Sequence, residues 1–436
     1  MEMLYQYLWK YRLLPDGIKT DDGRSIDILY QGRHNTDAGP DFSGARLRIG
    51  GQEWAGNVEV HVKASDWFRH GHDTDPAYSN VILHVVGVND TRVPDSRGGF
   101  IPQTVATFPD SFMRLYARLA EKIRAVECED IVGSLPPLTV TDWLESLSLE
   151  RMQVKARRII DLVKYVEGDW ERACFITLAR ALGFSLNAEP LEMLARSVPL
   201  TVLSKHSDDI FQLEALLFGQ AGMLDTSIHI FDEYYQRLCR EYFFLARKYG
   251  LRPMRRDIWK FNRTRPQNFP TRRVATLARS LSGGFSLLSR ILDPACDSES
   301  APELFDWKTD GYWDSHLDFD RPGTRLPSAL SESNVALLVI NLVAPMLYAY
   351  GAAHGDPEMA ERGLDIWHDL DAENNTYIRQ WRHAGIRCET ASDSQALIHL
   401  RKEYCDRNRC LECRFGHALL RASSRRPSPC PPTAVF

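Results

Sequence analysis

The chain lacks a strong charge bias, because 53 lysines and arginines stand against 58 aspartates and glutamates. A net charge of −5 is small for 436 residues, which argues against capture of nucleic acid or an anionic membrane by the whole surface. A local basic patch remains compatible with either partner. The composition, 44% hydrophobic and 25% charged, is typical of a soluble globular protein. The length predicts two or three domains.

The opening residues lack a secretory signal, because Glu2, Lys10 and Arg12 interrupt their apolar positions. Long hydrophobic runs are also scarce. One uncharged run, Val335 to Ala353, reaches the length of a minimal membrane span. Asn341 interrupts this run, and no basic or tryptophan anchors flank it. We therefore expect a buried core helix and no membrane contact.

The nine cysteines lack the even number and spacing of a disulfide framework. This pattern predicts a reducing cytoplasm, where clustered cysteines more often bind metal. Cys405, Cys410 and Cys413 have x4 and x2 spacing, and His417 follows one helical turn later. We expect a structural Zn²⁺ site, with His417 or Cys388 as the fourth ligand. An iron–sulfur centre with a distant fourth cysteine and a set of unligated thiols are the alternatives.

Apolar patterning divides the chain into a mixed amino-terminal part and a helical remainder. Helical spacing in the first residues is followed by strand patterns, and helical periodicity dominates from residue 110 onward. These patterns predict an α+β fold, with a small, mostly antiparallel sheet followed by a large all-helical region. The expected boundaries are an α/β domain at 1–110, helical domains at 111–292 and 293–420, and a disordered tail at 421–436.

Polar side chains concentrate around one predicted strand of the amino-terminal part. Glu59, His61 and Lys63 occupy alternate positions, so they project from the same face of the strand. Asp41 lies in a Gly-Pro-Asp-Phe turn just before the paired strand and can approach Glu59. Two carboxylates commonly hold a hard divalent cation beside a phosphate. The spacing therefore predicts a Mg²⁺ or Mn²⁺ site at Asp41 and Glu59.

Two other interpretations of this segment remain open. An antiparallel strand with one solvated face would produce the same alternation without any site. Alternatively, an imidazole site suited to Zn²⁺ or Mn²⁺ could form from His61, His70, His72 and His84. His84 interrupts an apolar strand, which by itself is the pattern of a core histidine.

The strongest local positive charge lies between Arg252 and Arg273, where arginines alternate with aromatic residues. Arginine binds phosphates bidentately, and aromatic rings stack on unpaired bases. We therefore expect contacts with single-stranded or distorted nucleic acid from Arg263, Arg265, Asn268 and Arg272. The alternative is a seam between domains in which these arginines pair with acidic residues. The sequence does not determine the oligomeric state.

The amino-terminal motif resembles that of the restriction-endonuclease-like superfamily. Its members carry an Asp after a Pro, then a spacer, then Asp or Glu, one residue and Lys, on a sheet after an opening helix. The resemblance implies that Asp41 and Glu59 bind Mg²⁺, which polarises a phosphodiester and activates water. The implied catalytic group is His61, which stands at the position of the superfamily lysine, or Lys63 on the same face.

Almost the whole chain, up to about Leu420, resembles the bacterial domain-of-unknown-function family 2851. The motifs that carry this resemblance are residues 35–42, 56–61, 65–67, 75–78 and 263–270 and the terminal cysteines. The family implies a bacterial cytoplasmic setting and transfers no activity. The residues themselves predict a metal-dependent nuclease or nuclease-like nucleic-acid-binding protein. The alternative is a non-enzymatic scaffold or binding protein with a structural zinc site.

Overall fold

The computed structural model describes most of the chain and confirms an α+β fold, with a sheet near the amino end and helices elsewhere. The described residues are 2–15, 17–35, 39–96, 98–108, 110–120, 126, 128–225, 230–262, 264–309, 311–323, 325 and 327–425.

The described α-helices are numbered in chain order. They are α1 Glu2–Lys10, α2 Asp66–Arg69, α3 Asp110–Ala120, α4 Glu129–Val132, α5 Pro137–Tyr165, α6 Trp170–Leu182, α7 Ala188–Ser197, α8 Leu200–Ser204, α9 Ile210–Gln220, α10 Glu233–Tyr249, α11 Pro270–Arg279, α12 Leu287–Leu292, α13 Glu332–Leu338, α14 Ala344–His354, α15 Pro357–Asp369, α16 Thr376–His383, α17 Ala391–His399 and α18 Arg414–Arg425.

The described strands form two sheets. Their bounds are β1 Ile26–Tyr30, β2 Arg33–His34, β3 Phe42–Ile49, β4 Gln52–Lys63, β5 Val81–Val88, β6 Gln103–Val105, β7 His316–Asp318 and β8 Arg321–Pro322. The main sheet has the order β1-β3-β4-β5-β6, with β2 paired to β3. Pairing is antiparallel from β1 to β4 and parallel from β4 to β6. The parallel half requires a crossover between β4 and β5, and α2 lies in that crossover.

The chain folds into two compact units. The sheet unit comprises residues 1–143, 380–386 and 400–436, and the helical unit comprises 144–379 and 387–399. This division differs from the expected boundaries at 110, 292 and 420, because the cysteine-containing end belongs with the sheet. The tail expected from residue 421 is also corrected. Helix α18 continues to Arg425 and buries Leu420 completely, whereas 426–436 lie outside the described residues.

Helix α1 forms the core of the sheet unit with one face of β4. Its Leu4, Leu8 and Trp9 are fully buried in the same cluster as Val58 and Val60. These valines alternate with the polar residues of β4, so the apolar face meets α1 and the polar face points to the opposite side. The fold therefore separates the hydrophobic core from the segment that carries the chemistry.

A long apolar helix, Glu332–His354, lies in the core of the helical unit and contains a π-helical turn at Val339–Val343. By length and composition it could cross a membrane, but 61% of its most apolar stretch is buried within the protein. The Asn341 side chain accepts a hydrogen bond from Lys155 Nζ at 2.6 Å and donates to the Leu337 carbonyl at 2.8 Å. Its polar group is thus satisfied inside the unit, as in a core helix.

Arg272 of the basic segment is inside the helical unit and not on its surface. The residue is 5% exposed. Its guanidinium donates to the carbonyls of Trp313 and Pro327 and to Thr309 Oγ1. These contacts use the arginine to satisfy buried carbonyls. The expected nucleic-acid contact of Arg272 is therefore corrected by its burial.

The other three residues of this segment expected to contact nucleic acid differ in their surroundings. Asn268 Oδ1 accepts hydrogen bonds from Arg273, at 2.5 Å, and from Asn334, at 3.3 Å. Asn268 thus has a structural role. Arg265 is exposed, and Arg263 lies outside the described residues. Of the four expected nucleic-acid contacts, only that of Arg265 keeps the surface position that the prediction requires within the described part of the chain.

The substitution Arg272→Met should lower the free energy of unfolding of the helical unit by about 3 kcal/mol, because it leaves buried carbonyls without a donor. Urea denaturation followed by tryptophan fluorescence measures this change. The matched control is Arg265→Met, where the side chain is exposed and the expected change is within about 0.5 kcal/mol. Equal stability of the two variants would show that the buried guanidinium contacts contribute nothing measurable.

Candidate metal centre

The polar face of β4 is buried. Glu59 is 4% exposed and His61 is 1% exposed, although both alternate with the core-facing valines. A solvated sheet face, one of the alternatives from the sequence, is therefore wrong at these two positions. Burying a carboxylate and an imidazole is costly unless neighbouring groups pair with them.

The strand register aligns polar residues into one row across four strands. Phe42 pairs with Val58, which brings Asp41 beside Glu59. Glu59 pairs with His84 on β5, and His84 pairs with Gln103 on β6. His84 and Gln103 are both fully buried. We call Asp41, Glu59, His84 and Gln103 the polar row.

Asp41 and Glu59 meet as the hairpin spacing predicts, but their oxygens face different partners. The Asp41 amide donates to Glu59 Oε2 at 3.0 Å. Both Asp41 oxygens accept hydrogen bonds, Oδ1 from Gln6 Nε2 at 2.9 Å and Oδ2 from the Val60 amide at 3.0 Å. Asp41 therefore serves as an acceptor for α1 and β4, whereas Glu59 Oε1 points toward the histidines.

Burial opposes ionisation of both carboxyl groups. It raises the pKa of Asp41 to about 6, although the hydrogen bonds from Gln6 and Val60 lower it. Burial raises the pKa of Glu59 to about 9, and the charge of Asp41 adds to this shift. Simultaneous ionisation of both carboxyl groups is therefore unfavourable in the metal-free protein.

The segment after β4 brings two further histidines onto His61. His61 Nε2 lies 3.2 Å from His70 Nδ1. The three ligand nitrogens of His61, His70 and His72 lie within 4.8 Å of one another. Glu59 Oε1 lies 3.5 Å from His61 Nε2 and 3.4 Å from His72 Nε2. We call His61, His70, His72 and Glu59 the histidine cluster.

Behind the cluster, His84 holds the inner nitrogen of His61. His61 Nδ1 and His84 Nε2 are 2.9 Å apart, and the Gln103 side-chain nitrogen is 3.4 Å from His84 Nδ1. All four histidines of the imidazole interpretation thus lie close together. His84 is hydrogen-bonded to His61 but is not part of the group of three. Gln103 was missed from the sequence. The sequence feature that could have indicated Gln103 is its position as a polar residue at the start of a short strand.

Aromatic rings fix the orientation of the imidazoles. His72 stacks on Tyr78, with ring centroids 3.8 Å apart, and on His61 at 5.3 Å. Trp67 lies edge-on to His72 at 5.5 Å and tilted against His84 at 5.4 Å. These rings belong to the Ser-Asp-Trp and Asp-Pro-Ala-Tyr motifs, whose packing role the sequence alone did not indicate. The histidines are thus held before any ligand arrives.

The buried imidazoles are neutral at physiological pH. Burial lowers the pKa of His61 to about 3, and His84, His72 and His70 lower it further. Burial also lowers the pKa of His84 to about 3 and depresses that of His72. Metals bind the neutral imidazole, so this state presents lone pairs and needs no proton release from these rings.

The basic residues near the cluster occupy different positions from those expected. Lys63 is exposed at the end of β4, where its charge acts on Asp90. Arg69 is exposed at the opening of the cluster, with Nη2 3.4 Å from His70 Nε2 and 2.9 Å from Asp66 Oδ1. Arg69, which was not predicted from the sequence, therefore places its charge beside His70.

The two residues expected as the fourth ligand of the cysteine site have different surroundings. The His417 ring packs against the rings of Tyr7 and Tyr11 of α1, with centroids 5.7 and 4.2 Å away. Cys388 belongs to the helical unit, whereas Cys405 belongs to the sheet unit. The zinc site at the cysteines stays a prediction.

Comparison with known proteins identifies the family of the chain. The model of the family described as protein of unknown function (DUF2851) matches residues 2–376, which is most of the chain. The chain belongs to this family. No curated protein and no solved structure matches it.

The substitution Glu59→Gln should stabilise the metal-free protein at pH 8 and have little effect at pH 4. The unfolded state releases the Glu59 proton at its ordinary pKa, near 4.5, whereas the folded state retains it up to about 9. Between these values the folded state binds more protons, so its stability falls as pH rises. The glutamine variant cannot lose this proton and should be more stable by at least about 1 kcal/mol at pH 8.

Thermal or urea denaturation in the presence of a chelator measures this difference. The control is Glu53→Gln on the same strand, whose carboxylate is exposed and paired with Arg48 at 2.7 Å. A Glu59→Gln protein that is less stable than the parent at pH 8 would mean that Glu59 is ionised and well paired in the metal-free fold.

Proposed function

We propose that this member of the DUF2851 family is a metal-dependent hydrolase that cleaves phosphodiester bonds in nucleic acid, with its metal held by His61, His70 and His72. The observation that carries the proposal is that these three nitrogens lie within 4.8 Å of one another. Behind them, His61 is hydrogen-bonded to the buried His84. Three protein ligands with an open fourth position are characteristic of catalytic metal sites. The exposed side of His70 leaves that position accessible.

The spacing of the donor atoms fits a transition metal. With a metal–nitrogen distance near 2.0–2.1 Å, a tetrahedral site has ligand–ligand edges of about 3.4 Å. The edge between His61 Nε2 and His70 Nδ1 is 3.2 Å, and the three histidine nitrogens all lie within 4.8 Å of one another. Nitrogen donors favour Zn²⁺, or Mn²⁺ and Fe²⁺, over Mg²⁺. The donor set thus changes the metal expected from the two carboxylates.

The hydrogen bonds behind His61 also fit its proposed role as a metal ligand. If His61 Nε2 held a metal, the ring proton would lie on Nδ1 and would be donated in a hydrogen bond to His84 Nε2. His84 Nδ1 in turn needs an acceptor. The buried Gln103 Oε1 has no partner among the described residues, and rotating this amide by half a turn would present it to His84. The polar row would then fix the tautomer that a metal requires.

Each side chain of the cluster has a distinct role in hydrolysis. A divalent metal, when bound, supplies a Lewis acid that polarises a phosphoryl oxygen and lowers the pKa of water. The positive charge of a bound metal would lower the pKa of Glu59, so that Oε1, beside His61 Nε2 and His72 Nε2, could accept the proton of the attacking water. Asp41 holds the other oxygen of Glu59 through its amide. Glu59 is therefore the proposed base.

Two observations support a phosphodiester as the substrate. Arg69 lies at the opening of the cluster, and guanidinium groups bind phosphates in bidentate geometry. The exposed Arg265 supplies a further contact available to nucleic acid within the helical unit.

Cleavage assays on single- and double-stranded DNA and RNA test the proposal. The purified protein is stripped with a chelator and reloaded with Zn²⁺, Mn²⁺ or Mg²⁺, and bound metal is measured by mass spectrometry. His61→Ala and His72→Ala should lose both the metal and the activity. Glu59→Gln should retain metal while kcat falls by about 10²- to 10⁴-fold. His368→Ala, an exposed histidine of the helical unit, is the matched control.

Three outcomes would contradict the assignment. Full cleavage by His61→Ala and His72→Ala would remove the metal from the mechanism. Full cleavage by Glu59→Gln would remove the proposed base. Stoichiometric metal without cleavage of any nucleic acid would favour the non-enzymatic alternative, in which the histidine cluster stabilises a binding protein.

A further inference from the structure

The solvent-facing side of helix α10 combines aromatic rings with basic side chains. Phe243 and Phe244 are 69% and 62% exposed, although they follow one another inside the helix. Arg240, Arg247 and Lys248 are exposed on the same helix. We call these five residues the basic face of α10. Two adjacent large apolar side chains in water indicate an interaction surface, because only isolated exposed apolar residues are ordinary on a protein surface.

The opposite side of α10 is fixed in the core of the helical unit. Leu238, Tyr242 and Leu245 are buried there. Tyr242 lies so close to α9 that a Cβ atom at Gly219 would be 2.0 Å from its ring. The Tyr242 hydroxyl donates to Gln220 Oε1 at 3.1 Å. This packing holds the helix against rotation, so the two phenylalanines stay exposed.

Helical spacing places each phenylalanine beside basic side chains. Phe244 lies four residues after Arg240 and four residues before Lys248, and Phe243 lies four residues before Arg247. Residues three or four apart are neighbours on a helix surface, with Cβ atoms about 5–6 Å apart. The basic face is therefore one surface on which cations alternate with rings.

The cations of the basic face are not neutralised by ion pairs. The ion pairs within the described part of the helical unit involve neither Arg240 nor Arg247. Glu241 accepts a hydrogen bond from Gln212 of α9 at 2.9 Å, and Glu233 lies in the first turn, toward the other end of the helix. The helix dipole favours the cations of the last turn, but it does not account for Arg240 or for the exposed rings.

The chain after α10 adds basic residues beside this face. From Arg237 to Lys260 the sequence carries eight basic residues and two acidic ones, although the whole chain has a net charge of −5. Gln220 Nε2 donates to the Arg252 carbonyl at 2.5 Å, while Gln220 Oε1 accepts from Tyr242. The segment therefore folds back to the level of Tyr242, which keeps the exposed Arg252 close to α10.

We propose that the basic face of α10 binds single-stranded nucleic acid, with phosphates on Arg240 and Arg247 and unpaired bases stacked on Phe243 and Phe244. Arginine binds phosphate oxygens through a planar fork of donors. An exposed aromatic ring offers a flat apolar surface on which any base can stack. An acidic polypeptide would match the charge alone, and a nucleic-acid duplex would offer the rings no unpaired base.

Two other occupants fit the basic face less well. A helix that lies in a membrane interface inserts a wide apolar stripe. The apolar stripe of α10 is already buried in the helical unit, and Phe243 and Phe244 are the large apolar side chains of the helix that face outward. A second copy of the chain would bring two identical positive faces together, which is unfavourable. Nucleic acid supplies both the opposite charge and the planar apolar surface.

This binding surface goes beyond the proposed hydrolase and does not rest on it. The basic face belongs to the helical unit, and its residues need no metal to bind phosphates or bases. Binding can therefore be measured in a chelator, where metal-dependent cleavage stops. A parent protein that binds an oligonucleotide but cleaves no nucleic acid with any metal would contradict the proposed hydrolase and leave the basic face as a binding surface.

The test is fluorescence anisotropy of a labelled oligothymidylate of about 20 nucleotides, titrated with the full chain in chelator at several salt concentrations. The double variant Phe243→Ala, Phe244→Ala should bind about 10-fold more weakly or worse with an unchanged salt dependence, because it loses stacking and no charge. The double variant Arg240→Gln, Arg247→Gln should reduce the slope of the logarithm of the binding constant against that of salt by about 1.4, because two phosphate contacts are lost.

Matched controls remove the same groups elsewhere. The double variant Arg157→Gln, Arg290→Gln removes two exposed cations of the helical unit, and Phe100→Ala removes an exposed ring of the sheet unit. Both should bind like the parent, and circular dichroism checks that every variant is folded. Absence of oligonucleotide binding by the parent, parent-like affinity of the phenylalanine variant, or an equal loss in the arginine control would overturn the proposal. Binding to vesicles of anionic phospholipid in place of the oligonucleotide would identify a membrane surface instead.

Discussion

The burial of polar groups on one face of β4 is the constraint on which the sheet unit depends. Glu59 and His61 are almost completely withdrawn from water. Such groups are tolerated only when neighbours satisfy them, because an unpaired buried polar group costs several kcal/mol. The polar row supplies those neighbours from three other strands. The parallel pairing of β5 beside β4 is therefore essential, since it places His84 next to Glu59.

The same burial bears on which metal the proposed site would hold. Withdrawal from water makes the carboxyl groups hard to ionise in the metal-free protein, but it leaves the imidazoles neutral and ready to coordinate. Desolvation thus favours nitrogen donors and a transition metal. In the proposed site, the histidine at position 61 serves as a ligand for this physical reason.

Sequence patterns predicted those features that depend on neighbours along the chain. The α+β class, the strand face shared by Glu59 and His61, and the approach of Asp41 through a hairpin all follow from periodicity and turn chemistry. Gln103 could not be predicted, because its role arises from strand pairing between distant segments. The burial of individual side chains could not be predicted from the sequence either. The arginine-rich segment gave no sign that Arg272 satisfies buried carbonyls while Arg265 remains exposed.

Helix α1 connects the polar row to the cysteine-rich end of the sheet unit. Its Gln6 donates to Asp41, which positions Glu59, while its Tyr7 and Tyr11 pack against His417 one turn after Cys413. The same helix buries Leu4, Leu8 and Trp9 in the core that it shares with Val58 and Val60. The cysteine-rich end therefore restrains α1, and α1 in turn restrains the polar row.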